Sequence, residues 1–170
     1  MLYICGMEKN DESNPFLLTG YTGPELFCNR EEETGQLIKN AVNGVNTTLL
    51  SVRRMGKTGL LYHALGRLQQ RKKGIGIHAD IFYTENFRDF TNRFATAMLQ
   101  AFPEKHPFWK KAMEFLKQLR PVISHDEMTG QPQVTLDYSQ PKQYEYSLHS
   151  ILSFLEKQEK LVVVAIDEFQ

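Results

Sequence analysis

Thr47-Thr48-Leu49-Leu50-Ser51-Val52-Arg53-Arg54-Met55-Gly56-Lys57-Thr58-Gly59-Leu60-Leu61 is the stretch that decides the fold. Thr47 to Leu50 has the β-branched and aliphatic composition of a short buried strand. Leu60, Leu61, Ala64, Leu65 and Leu68 recur at helical spacing and predict a helix to about Gln70. Between the two, a tight loop closes on Gly56-Lys57-Thr58. Strand, glycine loop and helix together form a cradle for phosphate. Consecutive backbone N–H groups from about Arg54 to Thr58 can face one concavity, and a helix starting near Lys57 adds its partial positive end. Lys57 would bridge the β- and γ-phosphates of a nucleoside triphosphate. The Thr58 hydroxyl would ligate Mg²⁺, and Gly56 removes the Cβ that would keep backbone from phosphate. The full pattern is G-x-x-x-x-G-K-[ST], and Ser51 stands where its first glycine falls. The competing explanation is a surface loop with incidental basic residues.

A second motif supports the first. Leu161-Val162-Val163-Val164-Ala165-Ile166 is a near-continuous apolar run, which predicts a strand buried on both faces as in a parallel sheet. It ends in Asp167-Glu168, where open α/β sheets bind ligands. Asp167 would hold Mg²⁺ through its water shell, and Glu168 would be the base that polarises an attacking water. Alone, such a strand end is more often a solvated acidic turn. A small GTPase usually carries D-x-x-G here, and Gln170 stands at the third position after Asp167. Adjacent Asp-Glu favours ATP-hydrolysing enzymes.

The chain has 170 residues, room for one α/β domain with a substantial core. Lys plus Arg and Asp plus Glu both number 20, so charge compels neither a nucleic-acid nor an anionic-membrane partner. Basic residues between Arg67 and Lys73 read as a charged helix end. Two cysteines, Cys5 and Cys28, suggest no disulfide framework, and a reduced cytoplasmic setting is simplest. No apolar run approaches the roughly 20 residues of a membrane span. Met1 to Gly6 is too short for a signal segment, and Met7, opening a polar run, is a candidate native start.

Residues 1–24 read as an extended lead-in. Asn29 is placed as the N-cap of a helix, with Glu32 positioned for a capping box. Leu37, Ile38, Ala41 and Val42 form its apolar face, and Asn43-Gly44 ends it. Ile75 to Phe82 predicts a strand in which His78 and Asp80 alternate; no third ligand is spaced nearby, so metal binding there is disfavoured. Thr84 to Phe102 predicts an amphipathic helix whose stripe of Phe87, Phe90, Phe94, Met98 and Phe102 belongs to a core. Pro107 can start another helix, with Phe108, Ala112, Phe115, Leu116 and Leu119 on one face and Pro121 as its stop. A hairpin follows, Val122-Ile123 before Thr129-Gly130 and Val134, Leu136 and Tyr138 after it. Tyr144, Leu148, Ile151, Leu152 and Leu155 make a last helix. The two motifs are separated by far more chain than one strand–helix unit needs, so about 103–138 reads as an insertion.

Phe27-Cys28-Asn29-Arg30-Glu31-Glu32-Glu33, then Arg53-Arg54-Met55-Gly56-Lys57-Thr58, then the strand ending in Asp167-Glu168, resemble the archaeal-type ATPase family. These are AAA+/STAND-like P-loop ATPases related to origin-recognition ATPases. Members carry F-x-x-R-E-x-E ahead of an R-R-x-G-K-T loop. They usually have Gly or Ser at the position of Ser51 and Pro at that of Val52, so Val52 is a departure. The resemblance implies a P-loop NTPase three-layer αβα core with a parallel sheet over residues 25–170. It implies ATP and Mg²⁺ as cofactors, and it places the Cys28–Arg30 backbone near adenine; Asn29 as a plain helix cap is the alternative. Within the loop, Arg53, Arg54, Met55, Gly56, Lys57, Thr58 and Gly59 would surround the phosphates, with Arg53 and Arg54 leaning to structural or inter-domain roles.

Such ATPases order their sheet 5-1-4-3-2. The strand between the two motif strands would follow Gln170, and without it they sit roughly 10 Å apart. The first strand would then lack neighbours and its backbone groups would be orphaned. The expectation is a fragment of a longer protein whose downstream part supplies the sensor residue and arginine finger, with the piece alone hydrolysing ATP poorly. The leading function is an ATP-binding and ATP-hydrolysing module. A nucleotide-gated switch or scaffold, with self-association, is a second reading. A DNA-associated ATPase is a third, resting on fold analogy alone.

Overall fold

Four strands and five α-helices form a mixed α/β structure among the residues that the computed structural model describes, 20–169 other than Thr22, Arg53, Lys72 and Lys73. Cys5, the Met7 start, nearly all of the 1–24 lead-in and Arg53 lie outside the described residues. The chain divides into two compact units, Met1–Arg67 and Leu68–Gln170.

In the first unit a single 3₁₀ turn, Pro24–Leu26, precedes α1 (Glu31–Val42). Asn29 does not cap α1. It adopts a left-handed φ of 64°, and Arg30 takes the cap position without a side-chain cap bond. The expected capping box with Glu32 is therefore not formed. The helix instead gains three glutamates in its first turn, favourable against the helix dipole. Gly44, at φ 69°, donates its N–H to Ala41 O and ends the helix as read. Ile38 is buried, but Val42, expected on the apolar face, is exposed.

The expected strand Thr47–Leu50 is not formed: residues 45–52 carry no strand pairing, and Leu50 and Val52 are 90% and 78% exposed. Strand-type composition supplies a preference, while a strand exists only when a neighbour takes its N–H and C=O groups. The helix after the loop, α2 (Lys57–Gln70), forms over the predicted range.

The second unit is built on β1 (Gly74–Asp80), which pairs in parallel with β4 (Leu161–Asp167) from Gly74↔Leu161 to Asp80↔Asp167. Between them run α3 (Phe87–Gln100), α4 (Pro107–Lys117), the antiparallel pair β2 (Val122–His125) and β3 (Pro132–Thr135), and α5 (Pro141–Glu156). Ile75, Ile77 and Ala79 of β1 join Phe94, Met98, Ala112, Leu116, Ile151 and Leu155 in one core, against which Val162 and Val164 pack. The stripe on α3 is thus core at Phe94 and Met98, with Phe90 and Phe102 packed against it and Phe87 exposed. Each fully buried side chain of this size contributes about 1.5–3 kcal/mol. Asn86 caps α3 by accepting from Asp89 N, worth about 1 kcal/mol. β4 departs from expectation: Leu161 and Ile166 are exposed and Val162 to Ala165 only half-buried, because among the described residues β4 has β1 alone as a strand neighbour.

The hairpin is fastened to α3 by polar side chains. Thr96 Oγ1 accepts from Val134 N at 2.9 Å and donates to Val134 O, Gln100 donates to Pro132 O, and Asn92 Oδ1 accepts from Leu136 N. At its tip Asp126 accepts from the amide and the hydroxyl of Thr129 and, with less effect, from the amide of Met128, which hold its carboxyl below the usual range. Beyond β3, the Tyr138 hydroxyl donates to Leu119 O and accepts from Ser147, tying this segment to α5.

Gly74 sets the start of the parallel pair. A Cβ there would lie 2.7 Å from Leu161 O and 3.0 Å from Leu68 Cδ2. Gly74→Ala is expected to destabilise the chain by about 1–3 kcal/mol through forced separation of β1 from β4. Urea denaturation reads this as a lowered midpoint, and an unchanged midpoint would show that the strand ends can part at no cost.

Candidate functional site

The phosphate-loop residues belong to the first unit and the acidic strand end to the second. In the first unit, Gly56 takes a left-handed φ of 71°, Lys57 is the first residue of α2, and Gly56 O accepts the helix's first backbone bond from Leu60 N. Arg54 is left-handed as well, at φ 66°. Arg54, Met55, Gly56 and Thr58 are exposed, while Lys57 and Gly59 are half-buried. The first amides of any helix lack intrahelical acceptors, and helix N-termini are accordingly where anions bind. A Cβ on Gly56 would meet nothing closer than Arg30 Nη1 at 3.7 Å. The positive φ, not crowding, is therefore what calls for glycine there.

The Phe27–Glu33 segment meets the loop. The Arg30 guanidinium donates through Nη1 to Met55 O at 2.9 Å and to Gly56 O at 3.4 Å, and through Nε to Glu33 Oε1 at 3.2 Å. Its own backbone hydrogen bond first, and Arg30 second, hold the Glu33 carboxyl below the ordinary range. Sequence reasoning placed the backbone of residues 28–30 near a ligand but did not foresee this side-chain contact.

An aromatic cluster lies behind these residues. Phe27 stacks on His63 at 4.2 Å between centroids and packs within 3.6 Å of where a Gly59 side chain would begin. Tyr21 stacks on Tyr62 and shares a hydrogen bond with His63 Nδ1 at 3.1 Å. Burial pushes the His63 pKa down, helped by the Arg67 guanidinium and opposed by Glu31. Burial pushes the Tyr21 phenol up against the opposing effect of Arg67. A neutral imidazole accepting from a protonated phenol fits both directions.

In the second unit, Asp167 closes β4 with its side chain buried. Its Oδ1 accepts from Glu168 N at 3.0 Å, and its Oδ2 lies 3.4 Å from His78 Nε2. His78 is the partner that sequence reading missed. Aligning the two acid-terminated strands end to end would have put it one pleat below Asp167, because Asp80 and Asp167 are register partners. Glu168 is exposed and left-handed at φ 58°. Among the described residues four non-glycine residues have positive φ, and three of them, Asn29, Arg54 and Glu168, fall within the motifs singled out from sequence. Sparsely populated backbone conformations of this kind gather where structure serves a site. Among the described residues no group of three His, Cys, Asp or Glu could hold a metal ion, and no helix is long and apolar enough to cross a membrane.

No protein family, curated protein or solved structure matches this chain.

The depressed His63 pKa fixes a sign. The folded state holds the imidazole neutral, so the unfolded state binds more protons below the ordinary histidine value near about 6.5. Stability is present above that value and is lost as pH falls toward the folded pKa. Thermal unfolding followed by circular dichroism should show a larger drop in Tm between about pH 7.5 and 5 for the wild type than for His63→Phe. Equal drops would show that His63 is as easily protonated in the fold as outside it.

Proposed function

We propose that the chain is the ATP-binding module of a P-loop ATPase, with the phosphates seated on Arg54 to Gly59 and Thr58 among the residues that would hold Mg²⁺. The observation that carries this reading is Gly56 at positive φ followed at once by Lys57 and Thr58 opening a 14-residue helix. Exposed loop backbone at the N-terminus of a helix suits an anion, and the Lys57 ammonium supplies the positive charge that a triphosphate needs. The backbone amides would bind phosphate oxygens and Lys57 would neutralise the β- and γ-phosphates. Thr58 would offer its hydroxyl to the cation, and Glu168, just beyond β4, would accept a proton from the attacking water. Bound Mg²⁺ supplies charge neutralisation at the phosphates. The three-layer αβα core is part of this proposal, and the parallel β1–β4 pair with α3 and α5 is compatible with it.

A second reading is a nucleotide-gated switch that binds ATP with little turnover. It is favoured by the Asp167 carboxylate, which is buried and already faces His78 and the Glu168 amide. Glu168→Gln separates the two: it lowers turnover steeply if Glu168 is the base and changes nothing in a pure switch.

Lys57→Ala is expected to weaken binding of a fluorescent ATP analogue by about tenfold or more, because a charge-assisted contact to phosphate is lost. Fluorescence anisotropy with Mg²⁺ present measures it, and equal affinity in the two proteins would sink the phosphate site.

A further inference from the structure

We infer that Arg30 is the positioning residue of the phosphate loop, orienting the amides of Gly56 and Lys57 by gripping the carbonyls on the opposite side of the same peptide groups. The inference rests on the phosphate-site reading for its purpose and on the hydrogen bonds of Arg30 for its substance. Each trans peptide group carries its C=O and its N–H pointing in opposite directions. The described chain has no cis peptide. The peptide between Met55 and Gly56 presents Met55 O on one side and Gly56 N–H on the other. The peptide between Gly56 and Lys57 does the same with Gly56 O and Lys57 N–H. Arg30 Nη1 holds both carbonyls, at 2.9 and 3.4 Å, so both N–H groups are turned away from α1. Those are two of the amides that the phosphate reading requires.

The grip is built to hold. The guanidinium is planar and its donors keep fixed directions, so one contact set constrains the next. Glu33, one turn along, takes Nε at 3.2 Å and fixes the plane of the group. The Arg30 carbonyl accepts from both Thr34 N and Thr34 Oγ1, which anchors the base of the side chain to α1. On the loop side, Gly56 O is shared between Arg30 and Leu60 N, so the same oxygen ties the loop to the first turn of α2. A charged donor occupying the carbonyl side also keeps those oxygens, with their negative ends, from swinging toward an incoming anion. Glycine at 56 leaves the backbone there with more conformations open to it than any other residue would. Arg30 supplies a restraint on that freedom from 25 positions upstream of Met55.

The test uses the full chain and three variants, Arg30→Gln, Arg30→Lys and Lys57→Ala, with two readouts. Backbone ¹⁵N relaxation without nucleotide reports the loop. The order parameters of the Gly56 and Lys57 amides should fall from about 0.85 toward about 0.6 in Arg30→Gln and less in Arg30→Lys, which keeps the charge and can still reach one carbonyl. Anisotropy with the ATP analogue reports the consequence. Arg30→Gln should bind about tenfold more weakly and Arg30→Lys should recover part of the loss. Adenosine, which lacks phosphate, should bind the wild type and Arg30→Gln equally well. Unchanged order parameters in Arg30→Gln overturn the inference. So do lowered order parameters with undiminished ATP binding, in a series where Lys57→Ala weakens binding and so keeps the phosphate site intact as a reading. Lowered order parameters with no ATP binding by the wild type support Arg30 as the holder of the loop and remove the phosphate reading instead.

Discussion

The parallel pairing of β1 with β4 is the constraint on which the second unit depends. Parallel neighbours cannot be joined by a tight turn and need a long crossover. Here that crossover contains α3, α4, the β2–β3 hairpin and α5, so nearly every residue of the core lies on chain that leaves Asp80 and returns at Leu161. The register fixes the chemistry at the strand ends. Because Asp80 is level with Asp167, the side chain of His78, one pleat earlier, reaches the Asp167 carboxylate. On the other face, Ile75, Ile77 and Ala79 alternate into the core. One pairing thus aims the apolar face of β1 at the helices and places its polar residues beside the acidic end of β4.

Sequence periodicity read the crossover well because its elements have strong local signals. The α3 stripe, Pro107 at the start of α4, and the alternation around Thr129-Gly130 each specify an element within a dozen residues. Boundaries shifted by a few residues: α3 begins at Phe87 rather than near Thr84 because Asn86, not an earlier residue, accepts from Asp89 N, β1 ends at Asp80 rather than Phe82, and β3 ends at Thr135, short of Leu136 and Tyr138. The failures are of another kind. Thr47–Leu50 and Leu161–Ile166 both have buried-strand composition, yet the first is unpaired and exposed and the second is paired on one edge and half-exposed. Composition reports how well side chains suit a sheet, and the sheet itself requires a partner strand that local sequence does not contain.

The candidate site was legible to a similar degree. Gly56 and Lys57 sit at the loop-to-helix junction where the motif puts them, since a positive φ followed by a helix start is a local property. Arg30 and His78 were not read in their present roles, because each acts across a long stretch of chain, 25 and 89 positions respectively. A motif names the residues of a loop but is silent on what supports the loop from behind. Asn29 shows the opposite error: a residue with excellent N-cap chemistry is instead left-handed, and Arg30 takes the cap position. The residue that does take the cap position, Arg30, is also the one whose side chain meets the loop.

That contact bears on how the loop holds its shape when residues 45–52 form no strand. In a strand-loop-helix cradle the loop is clamped at both ends by secondary structure. In this chain the helix clamp is present at Lys57, and the strand clamp on the other side is not. Two features of the first unit compensate. Arg30 holds the loop by its carbonyls, and the Phe27–His63 stack joins the segment carrying Arg30 to the second turn of α2. Phe27, Arg30, Met55, Gly56 and His63 therefore form a closed circuit of contacts running from the segment ahead of α1 to the loop, along α2 and back. A circuit of this kind resists flipping of the peptide groups at Met55 and Gly56 without a sheet beneath them. It also ties the loop's geometry to the protonation of His63, because a charged imidazole would be held poorly between Phe27 and Tyr21. Acid thus acts on the circuit through the aromatic cluster, at His63.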